Sequence, residues 1–285
     1  MDKFRETIYS AWGAARKALA SPNMRRYRAW VFQVYILIAL IAFSILALMA
    51  NIFPYFSLDL IFTRTLQADL PAWLGFVFLA VSWLGYAVQS IALISLVVIF
   101  LGMLGLRWEA IVAIIASVCS WTVNTLVKIV IRRPRPSEDL VDVVQSLNSF
   151  SFPSGHVMFY TIFFGFLLFL GFTLLRPSWK RRLLILLLSL LILSIGPSRM
   201  FLGEHWASDV LGGYLLGSLI LILTIQIYHW GKRHLPISQP VAPEDSSPLS
   251  AEQIFGDDIR FPPRIPVTSE EGDSDEHHSH RTRSK

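Results

Sequence analysis

Long stretches without charged side chains dominate the chain between its two polar ends. Five of these runs contain no Asp, Glu, Lys or Arg, and they cover residues 30–58, 70–106, 143–175, 183–198 and 210–230. A helix needs about 20 consecutive, mainly apolar residues to cross the hydrocarbon core of a bilayer. The pattern therefore predicts an all-α fold, a polytopic membrane helix bundle, and excludes a soluble globular core.

Six transmembrane helices account for this pattern. The run 70–106 is too long for one upright helix and barely long enough for two, so we predict a short interfacial piece near 71–81 followed by a single span. The third span is predicted to end at the sequence Arg-Arg-Pro-Arg-Pro, residues 132–136, because prolines make a continued helix unfavourable. The predicted spans are about 29–51, 82–105, 108–131, 156–175, 181–198 and 206–230.

The sequence divides into three segments. Residues 1–28 are polar and basic, and apolar residues recur in them at helical spacing, which favours an amphipathic helix on the membrane surface over a frayed leader. The six-span membrane domain is predicted over 29–233. Residues 234–285 are polar and rich in Pro and Ser, so we predict a disordered tail whose histidines are solvated and do not bind a metal.

Composition supports the membrane assignment. Only 16% of the residues are charged, against about 25% in average soluble proteins. The net charge of +5 does not indicate a nucleic-acid partner, because the basic residues lie beside apolar runs, where topology and anionic lipid headgroups explain them. The single cysteine, Cys119, excludes an intramolecular disulfide and a cysteine metal site.

The distribution of basic residues predicts the orientation of the bundle. Six spans place both termini on one side, and fourteen Lys and Arg residues flank the spans on that side, against six on the opposite side. The positive-inside bias therefore places both termini in the cytoplasm. The outer ends of spans three to six then share the extracytoplasmic side, and these ends carry three polar clusters.

The first two clusters flank the loop between spans three and four. Lys128 interrupts an apolar run, and Arg135 follows seven residues later. A lysine at the centre of a span costs about 2.5–3.5 kcal/mol, so a functional role is as good an explanation as a basic membrane flank. The sequence Pro-Ser-Gly-His at 153–156 opens the fourth span, with Ser154 as an N-cap and Gly155 allowing close approach to the backbone. Such a helix start favours an anion, although it is also an ordinary capped start.

The third cluster lies between spans five and six. Arg199 lies at the end of span five, and His205 and Asp209 are four residues apart, which places them on one face of a helix at the start of span six. An Asp beside a His fixes the imidazole tautomer and stabilises its cation, although isolated pairs are more often surface contacts. Trp206 is predicted to be an interfacial anchor.

Together the clusters supply three cations, a hydroxyl, a helix N-terminus, two histidines and one carboxylate. That combination describes a phosphate site, in which cations hold the oxygens, one imidazole attacks phosphorus and another protonates the leaving oxygen. The arrangement resembles the signature of the type-2 phosphatidic acid phosphatase, or lipid phosphate phosphatase, superfamily, whose relatives include vanadium-dependent haloperoxidases. Its three motifs are filled in order and at the family spacing, by Lys128 with Arg135-Pro136, by Pro153-Ser154-Gly155-His156, and by Ser198-Arg199 with His205 and Asp209.

The resemblance implies a role for each signature position. His205 would be the nucleophile that forms a phosphohistidine, Asp209 would hold its other ring nitrogen, and His156 would protonate the leaving group and then activate water. The phosphoryl oxygens would be bound by Lys128, Arg135, Ser154, Arg199 and the N–H of Gly155. The family requires no metal, and no cofactor is expected.

The predicted function is an integral-membrane lipid phosphatase whose site faces away from the cytoplasm. Its predicted partners are the bilayer and a lipid phosphate substrate, either phosphatidic acid, phosphatidylglycerol phosphate or a polyprenyl diphosphate. A lipid phosphotransferase, in which an alcohol replaces water, is the alternative within the same chemistry. A lipid-phosphate transporter is disfavoured because the span centres lack ionisable groups, and a catalytically silent relative is disfavoured because every signature position is filled.

Two further predictions concern residues near the clusters. Gly213 and Gly217, four apart in span six, would allow close helix contact beneath the site. Arg132 and Arg133 lie outside the signature, and we favour a role in flanking the third span over contact with a second phosphate or a lipid headgroup.

Overall fold

The computed structural model describes residues 22–235. Most of the predicted N-terminal amphipathic segment, up to residue 21, and the predicted tail from residue 236 onward lie outside the described residues. Regular structure within 22–235 is helical throughout. We number the helices α1 Pro22–Ile52, α2 Ser57–Asp69, α3 Ala72–Trp83, α4 Ala87–Met103, α5 Arg107–Ile131, α6 Gly155–Leu174, α7 Trp179–Phe201 and α8 Ala207–His234.

The helices reproduce the predicted membrane layout. Helices α1, α5, α6, α7 and α8 are each long and apolar enough to cross a bilayer. Helices α3 and α4 together form a sixth candidate span, with a bend of 61° between them. The prediction of an all-α membrane bundle is therefore confirmed, and its six spans are reached when α3 and α4 count as one bent span. A short helix is present near 71–81 as predicted, but it is part of that bent pair and does not precede a separate full-length span.

The sequence pattern does not predict α2, because three charged residues interrupt its apolar positions. Side chains of α2 fix it to the long loop that follows α5 and to the end of α7. Arg64 Nε donates to the carbonyl of Leu140 at 2.9 Å, and Gln67 Nε2 donates to the carbonyls of Asp142 and Phe201 at 2.7 and 2.9 Å. The loop, α2 and the end of α7 therefore lie at one end of the bundle.

Two helix ends show how backbone chemistry sets the boundaries. Helix α5 ends where predicted, and Arg132, which adopts a left-handed conformation with φ 54°, closes it by donating its N–H to the Lys128 carbonyl. Helix α7 continues through Pro197 to Phe201, beyond the predicted end near 198. Pro197 leaves the carbonyl of Leu193 without its helical N–H donor. The Tyr214 hydroxyl lies 3.5 Å from that carbonyl and donates to the adjacent carbonyl of Ile192 at 2.6 Å.

Close packing of α6 against α8 sets the separation between two of the polar clusters. A Cβ atom at Gly213 would lie 3.0 Å from the Ser154 carbonyl oxygen, and one at Gly217 would lie 3.0 Å from Cβ of Thr161. Such distances are shorter than ordinary carbon contacts of about 3.5–4.0 Å. The two glycines therefore permit the close helix contact predicted from their spacing. The N–H of Ser154 also donates to the Asp209 carbonyl at 3.1 Å, which joins the starts of α6 and α8.

A buried polar cluster joins α5 to α8 at the opposite end of the bundle. Trp108 Nε1 donates to the carbonyl of Tyr228 at 3.0 Å. The carboxylate of Glu109, which is 1% exposed, pairs with Lys232 Nζ at 2.8 Å and accepts from the Tyr228 hydroxyl at 3.1 Å. These contacts fix the ends of the two helices that carry predicted site residues at their other ends.

Candidate active site

A cavity of about 640 Å³ lies between α4 and α5 and reaches the end of the bundle that holds the long loop. Its polar end collects residues from all three predicted clusters, and its remaining wall is mainly apolar. Six of the eight predicted site residues line the polar end, namely Lys128, Arg135, Gly155, His156, Arg199 and His205. The other two, Ser154 and Asp209, are both fully buried beside these residues. Segments that are far apart in the sequence therefore converge on one site.

His205 lies in the turn before α8, and not on the helix itself as its spacing from Asp209 predicts. The reason is that the Asp209 carboxylate accepts the N–H of Trp206 at 2.9 Å and so caps the helix, which begins only at Ala207. The pair still forms, because Nδ1 of His205 lies 3.5 Å from Oδ2 of Asp209. The Ser151 hydroxyl lies 3.4 Å from the same nitrogen and donates to the same carboxylate oxygen.

The neighbours of His205 fix its tautomer. Arg135 Nη1 lies 3.2 Å from Nε2 of His205, and a guanidinium can only donate. We therefore assign the ring proton to Nδ1, facing Asp209, and a lone pair to Nε2, facing the arginine at the polar end of the cavity. That lone pair is what a nucleophilic attack on phosphorus requires.

Burial, together with the positive charges of Arg135, Lys128 and Arg199, holds the pKa of His205 well below its ordinary value. The imidazole is therefore neutral at pH 7. Burial also lowers the pKa of Arg135 to about 10, an effect that the Asp209 carboxylate opposes. Since that value is well above 7, the guanidinium remains charged and available to an anion.

Asp209 is held from two sides. Its Oδ2 accepts the contacts from Ser151 and Trp206, while its Oδ1 accepts from Arg133 Nη1 at 2.6 Å. The prediction that Arg133 flanks the membrane span is wrong. Arg133 is 1% exposed and also pairs with Asp59 at 2.8 Å, because two carboxylates can compensate the desolvation of one guanidinium.

Trp206 is likewise not the interfacial anchor that its sequence position predicts. It is 1% exposed, and its ring packs 5.4 Å from the ring of Tyr55. Trp206 is the N-cap residue of α8, between His205 and Asp209, and its indole therefore packs inside the bundle with these residues. Arg132, by contrast, is exposed and contacts its own helix through the carbonyl of Ile129, in agreement with a flanking role.

His156 lies in the first turn of α6, against the bend between α3 and α4. Its ring meets the Tyr86 ring edge-on, with centroids 5.1 Å apart, and lies beside the carbonyl of Ser82. A Cβ atom at Gly85 would overlap the imidazole. Within residues 22–235, His156 Nε2 makes no hydrogen bond of ordinary geometry, and neither does the buried Ser154 hydroxyl. Ser154 thus precedes the helix as predicted but does not cap it with its side chain.

The three cations at the site are each fixed by neighbouring groups. Lys128 Nζ contacts the carbonyls of Phe150 and Ser151 in the loop before α6. Arg135 donates to the carbonyl and the hydroxyl of Ser149 at 2.8 and 2.9 Å. These contacts hold the cations in place before any ligand binds, which is the preorganisation that electrostatic catalysis requires.

Arg199 has a carboxylate partner that the sequence analysis does not identify. Its guanidinium contacts the Ser82 hydroxyl and forms an ion pair with Glu204, which is 1% exposed. Glu204 also accepts from the Tyr86 hydroxyl at 3.2 Å. A charged residue directly before His205, in an otherwise apolar part of the third motif, was the signal available in the sequence.

Gly155 provides the close approach that its place in the motif predicts. A Cβ atom there would lie 3.0 Å from Oδ1 of Asn124, whose amide donates to the Pro153 carbonyl at 3.1 Å. Asn124 is on α5 and also lines the cavity. The start of α6 is thereby fixed against α5, beside Lys128.

Comparisons with known proteins place the chain in a family. Residues 106–233 match the family model of the PAP2 superfamily. The chain is also 32% identical, over 158 residues, to phosphatidylglycerophosphatase B of Bacillus subtilis strain 168, and the match covers 53% of this chain and 73% of that protein. The chain therefore belongs to the PAP2 superfamily, which confirms the resemblance found in its three motifs.

A solved structure shows the same fold. The crystal structure of a transmembrane PAP2-type phosphatidylglycerolphosphate phosphatase from Bacillus subtilis superposes with a TM-score of 0.61. The superposition covers 70% of this chain and 98% of that one, at 24% sequence identity. Together with the apolar helices, this shared fold supports a multi-pass membrane protein.

Proposed function

We propose that the protein is an integral-membrane lipid phosphatase that works through a phosphohistidine at His205. The observation that carries this proposal is the two-part character of the cavity, which is cationic at one end and apolar along the rest. Along α5 the cavity extends from Lys128 to Ile114, which corresponds to about 21 Å at 1.5 Å per residue. That length exceeds half of a hydrocarbon core of about 30 Å, so the cavity suits a phosphate on a long apolar chain.

The apolar part of the cavity is formed by facing surfaces of two helices. Ile91 and Ile94 contribute from α4, and Val118 and Trp121 contribute from α5. These side chains are partly exposed in the protein alone. A lipid tail placed between them would remove apolar surface from the cavity, while its headgroup reached the cations.

In the first step, Nε2 of His205 attacks phosphorus, and the bond between phosphorus and the leaving oxygen breaks. His156 gives its proton to that oxygen, which departs as an alcohol or as a phosphate. Asp209 stabilises the positive charge that develops on the imidazole of His205. The nonbridging oxygens are held by Lys128, Arg135, Arg199, the Ser154 hydroxyl and the Gly155 N–H.

In the second step, His156 removes a proton from a water molecule, whose oxygen attacks the phosphorus of the phosphohistidine. The phosphorus–nitrogen bond breaks, inorganic phosphate leaves, and both histidines return to their initial state. Neither step is assigned to a metal. Within the described part of the chain no group of three or more His, Cys, Asp or Glu side chains has the arrangement of a metal site.

Phosphatidylglycerol phosphate is the first substrate that we propose, because the curated relative is named for it. Phosphatidic acid and polyprenyl diphosphates share the required headgroup and apolar chain. We expect full-length protein in detergent to release phosphate from such a lipid in the presence of a chelator. His205→Ala should abolish the release, whereas His229→Ala, which changes an exposed histidine of α8, should not.

Comparing the three lipids side by side would rank the substrates. Equal phosphate release by His205→Ala and wild type would refute the assigned nucleophile. Complete loss of activity on adding chelator, restored by a divalent cation, would refute a metal-independent mechanism. Transfer of phosphate to an alcohol in place of its release to water would identify a phosphotransferase.

We also propose that the site opens on the extracytoplasmic side, with both termini in the cytoplasm. The support is the excess of Lys and Arg on the side of the termini. In a Cys119→Ser background, a membrane-impermeant maleimide added to intact cells should label Ser137→Cys in the long loop. It should not label Ser178→Cys in the turn before α7. Labelling of the second variant alone would reverse the orientation.

A further inference from the structure

Behind Asp209 lies a buried network that the proposed mechanism does not use. Arg133 donates through Nη1 to Asp209 at 2.6 Å and to the Ser208 hydroxyl at 2.7 Å. Through Nη2 it pairs with Asp59 at 2.8 Å. Both charged partners of Arg133 are at most 2% exposed, so these contacts occur away from water.

Asp59 connects this network to a part of the chain that precedes the matched family region. It lies in the first turn of α2, whereas the family match begins at residue 106. Its two oxygens accept from the N–H and the hydroxyl of Ser208, both at 2.8 Å. Ser208 is in the first turn of α8, where backbone N–H groups lack helical partners. Asp59 therefore fixes the start of the helix that carries Asp209.

The charges of the network act on His205 in opposite directions. Arg133 compensates part of the negative charge of Asp209, and Asp59 compensates part of the positive charge of Arg133. The cations that face Asp209 and His205 from the cavity side are Lys128, Arg135 and Arg199. Glu204, paired with Arg199, and the imidazole of His156 are the other titratable groups beside His205. In a dry site such charges interact more strongly than in water, so removing either member of the pair changes the potential at the imidazole.

We propose that Asp59 and Arg133 form a positioning pair that fixes the orientation of the Asp209 carboxylate and the charge that it presents to His205. This inference rests on the proposed function, because its consequence is the rate of phosphoryl transfer. Neither residue touches the substrate. Asp209 with both oxygens fully engaged cannot rotate away from the imidazole, and it keeps enough negative charge to stabilise the cation that develops there.

The test compares Asp59→Asn and Arg133→Gln with Glu109→Gln. The control removes a carboxylate of equal burial from an ion pair at the opposite end of the bundle. Asp59→Asn should lower kcat about 10- to 100-fold, the range known for residues that orient metal ligands in the same indirect way, and leave KM within about threefold. Glu109→Gln should lower the unfolding midpoint while keeping kcat within about twofold of wild type.

The acid limb of the kcat/KM profile separates a positioning pair from a merely structural contact. Asp59→Asn leaves the positive charge of Arg133 less compensated, so the limb should move to lower pH. Arg133→Gln removes a positive charge near His205, so the limb should move to higher pH. A structural role would give losses of folded protein without such opposed shifts.

The inference would be overturned if the acid limbs of Asp59→Asn and Arg133→Gln did not move, or moved in the same direction. A kcat of Asp59→Asn within twofold of the kcat of Glu109→Gln would also overturn it. If Asp59→Asn does not fold, Ser208→Ala is the milder perturbation, because it removes one hydroxyl that joins Asp59 to Arg133. It should lower kcat about two- to fivefold at unchanged KM, and an unchanged kcat would overturn the inference. Phosphate release by wild type and by His229→Ala tests the proposed function separately.

Discussion

Gly85→Ala adds one methyl group beside the proposed acid and base of the reaction. The glycine lies in the bend between α3 and α4, and the new Cβ would lie 3.0 Å from Nε2 and 3.1 Å from Cγ of His156, with another ring atom closer still. The φ angle of Gly85 is not in the left-handed region, so alanine brings no backbone strain. The substitution therefore acts on the position of the imidazole.

The size of the effect follows from these distances. Ordinary contacts between carbon atoms are about 3.5–4.0 Å, so the ring or the bend must move by roughly 1 Å. A displacement of about 1 Å from a reactive geometry costs on the order of 100-fold in rate, equivalent to about 2.7 kcal/mol of transition-state stabilisation. We expect kcat to fall by that factor. KM should change less, because Lys128 and Arg135 hold the phosphate without His156.

The assay is phosphate release from phosphatidylglycerol phosphate in detergent micelles, with kcat and KM measured for each variant. Gly102→Ala is the matched control, since it makes the same change on α4 where nothing lies within 4 Å of the added Cβ. The control should retain wild-type kcat and gain slightly in stability, as expected for alanine in a helix. A kcat for Gly85→Ala within threefold of that for Gly102→Ala would refute the assigned position of His156.

Three other substitutions test separate parts of the account. Arg135→Gln removes a cation that lowers the pKa of His205, so that pKa rises and the acid limb of the kcat/KM profile should move to higher pH; a shift to lower pH would contradict the assignment. Val118→Trp fills the apolar part of the cavity and should raise KM about tenfold for a long-chain lipid but not for a short-chain analogue. Equal effects on both lipids would argue against binding of the lipid tail in this part of the cavity. Ser178→Ala removes the hydroxyl that accepts the Arg181 N–H at the start of α7. It should lower the free energy of unfolding by about 1 kcal/mol, measured by denaturation in detergent, and leave kcat unchanged.

Local patterns in the sequence predict the spans and the reactive groups. The apolar runs contain the spanning helices, because a helix satisfies the backbone hydrogen bonds within its own segment, as a bilayer requires. The three motifs lie at helix ends that the predicted topology places on one side of the membrane, and the family resemblance implies that Lys128, His156 and His205 serve one site. The structure confirms that these residues share a cavity.

Partners that are distant in the sequence are not predictable in the same way. Asp59 is a lone acidic residue after α1, and nothing near it in the sequence indicates that it reaches Arg133, 74 residues away. The pairing of Glu204 with Arg199 is local, but the contacts of these two residues with Tyr86 and Ser82 are more than 100 residues away in the sequence. The need for a glycine in the bend after α3 is not visible in the sequence either, because it arises from the contact of Gly85 with His156, 71 residues further along the chain. Each of these features depends on three-dimensional packing.

Trapping of the phosphoenzyme tests the central claim most directly. With a lipid diphosphate, whose leaving phosphate needs little protonation, the first step should proceed in His156→Ala, while the second step should stall without its base. The substrate carries its label on the phosphate that is transferred, and the reaction is stopped without acid. The variant should then carry a base-stable and acid-labile labelled phosphate, and peptide mapping should place this phosphate on His205. The label should be absent from the His156→Ala, His205→Ala double variant. Label on a serine or an aspartate, or undiminished label in the double variant, would contradict the mechanism.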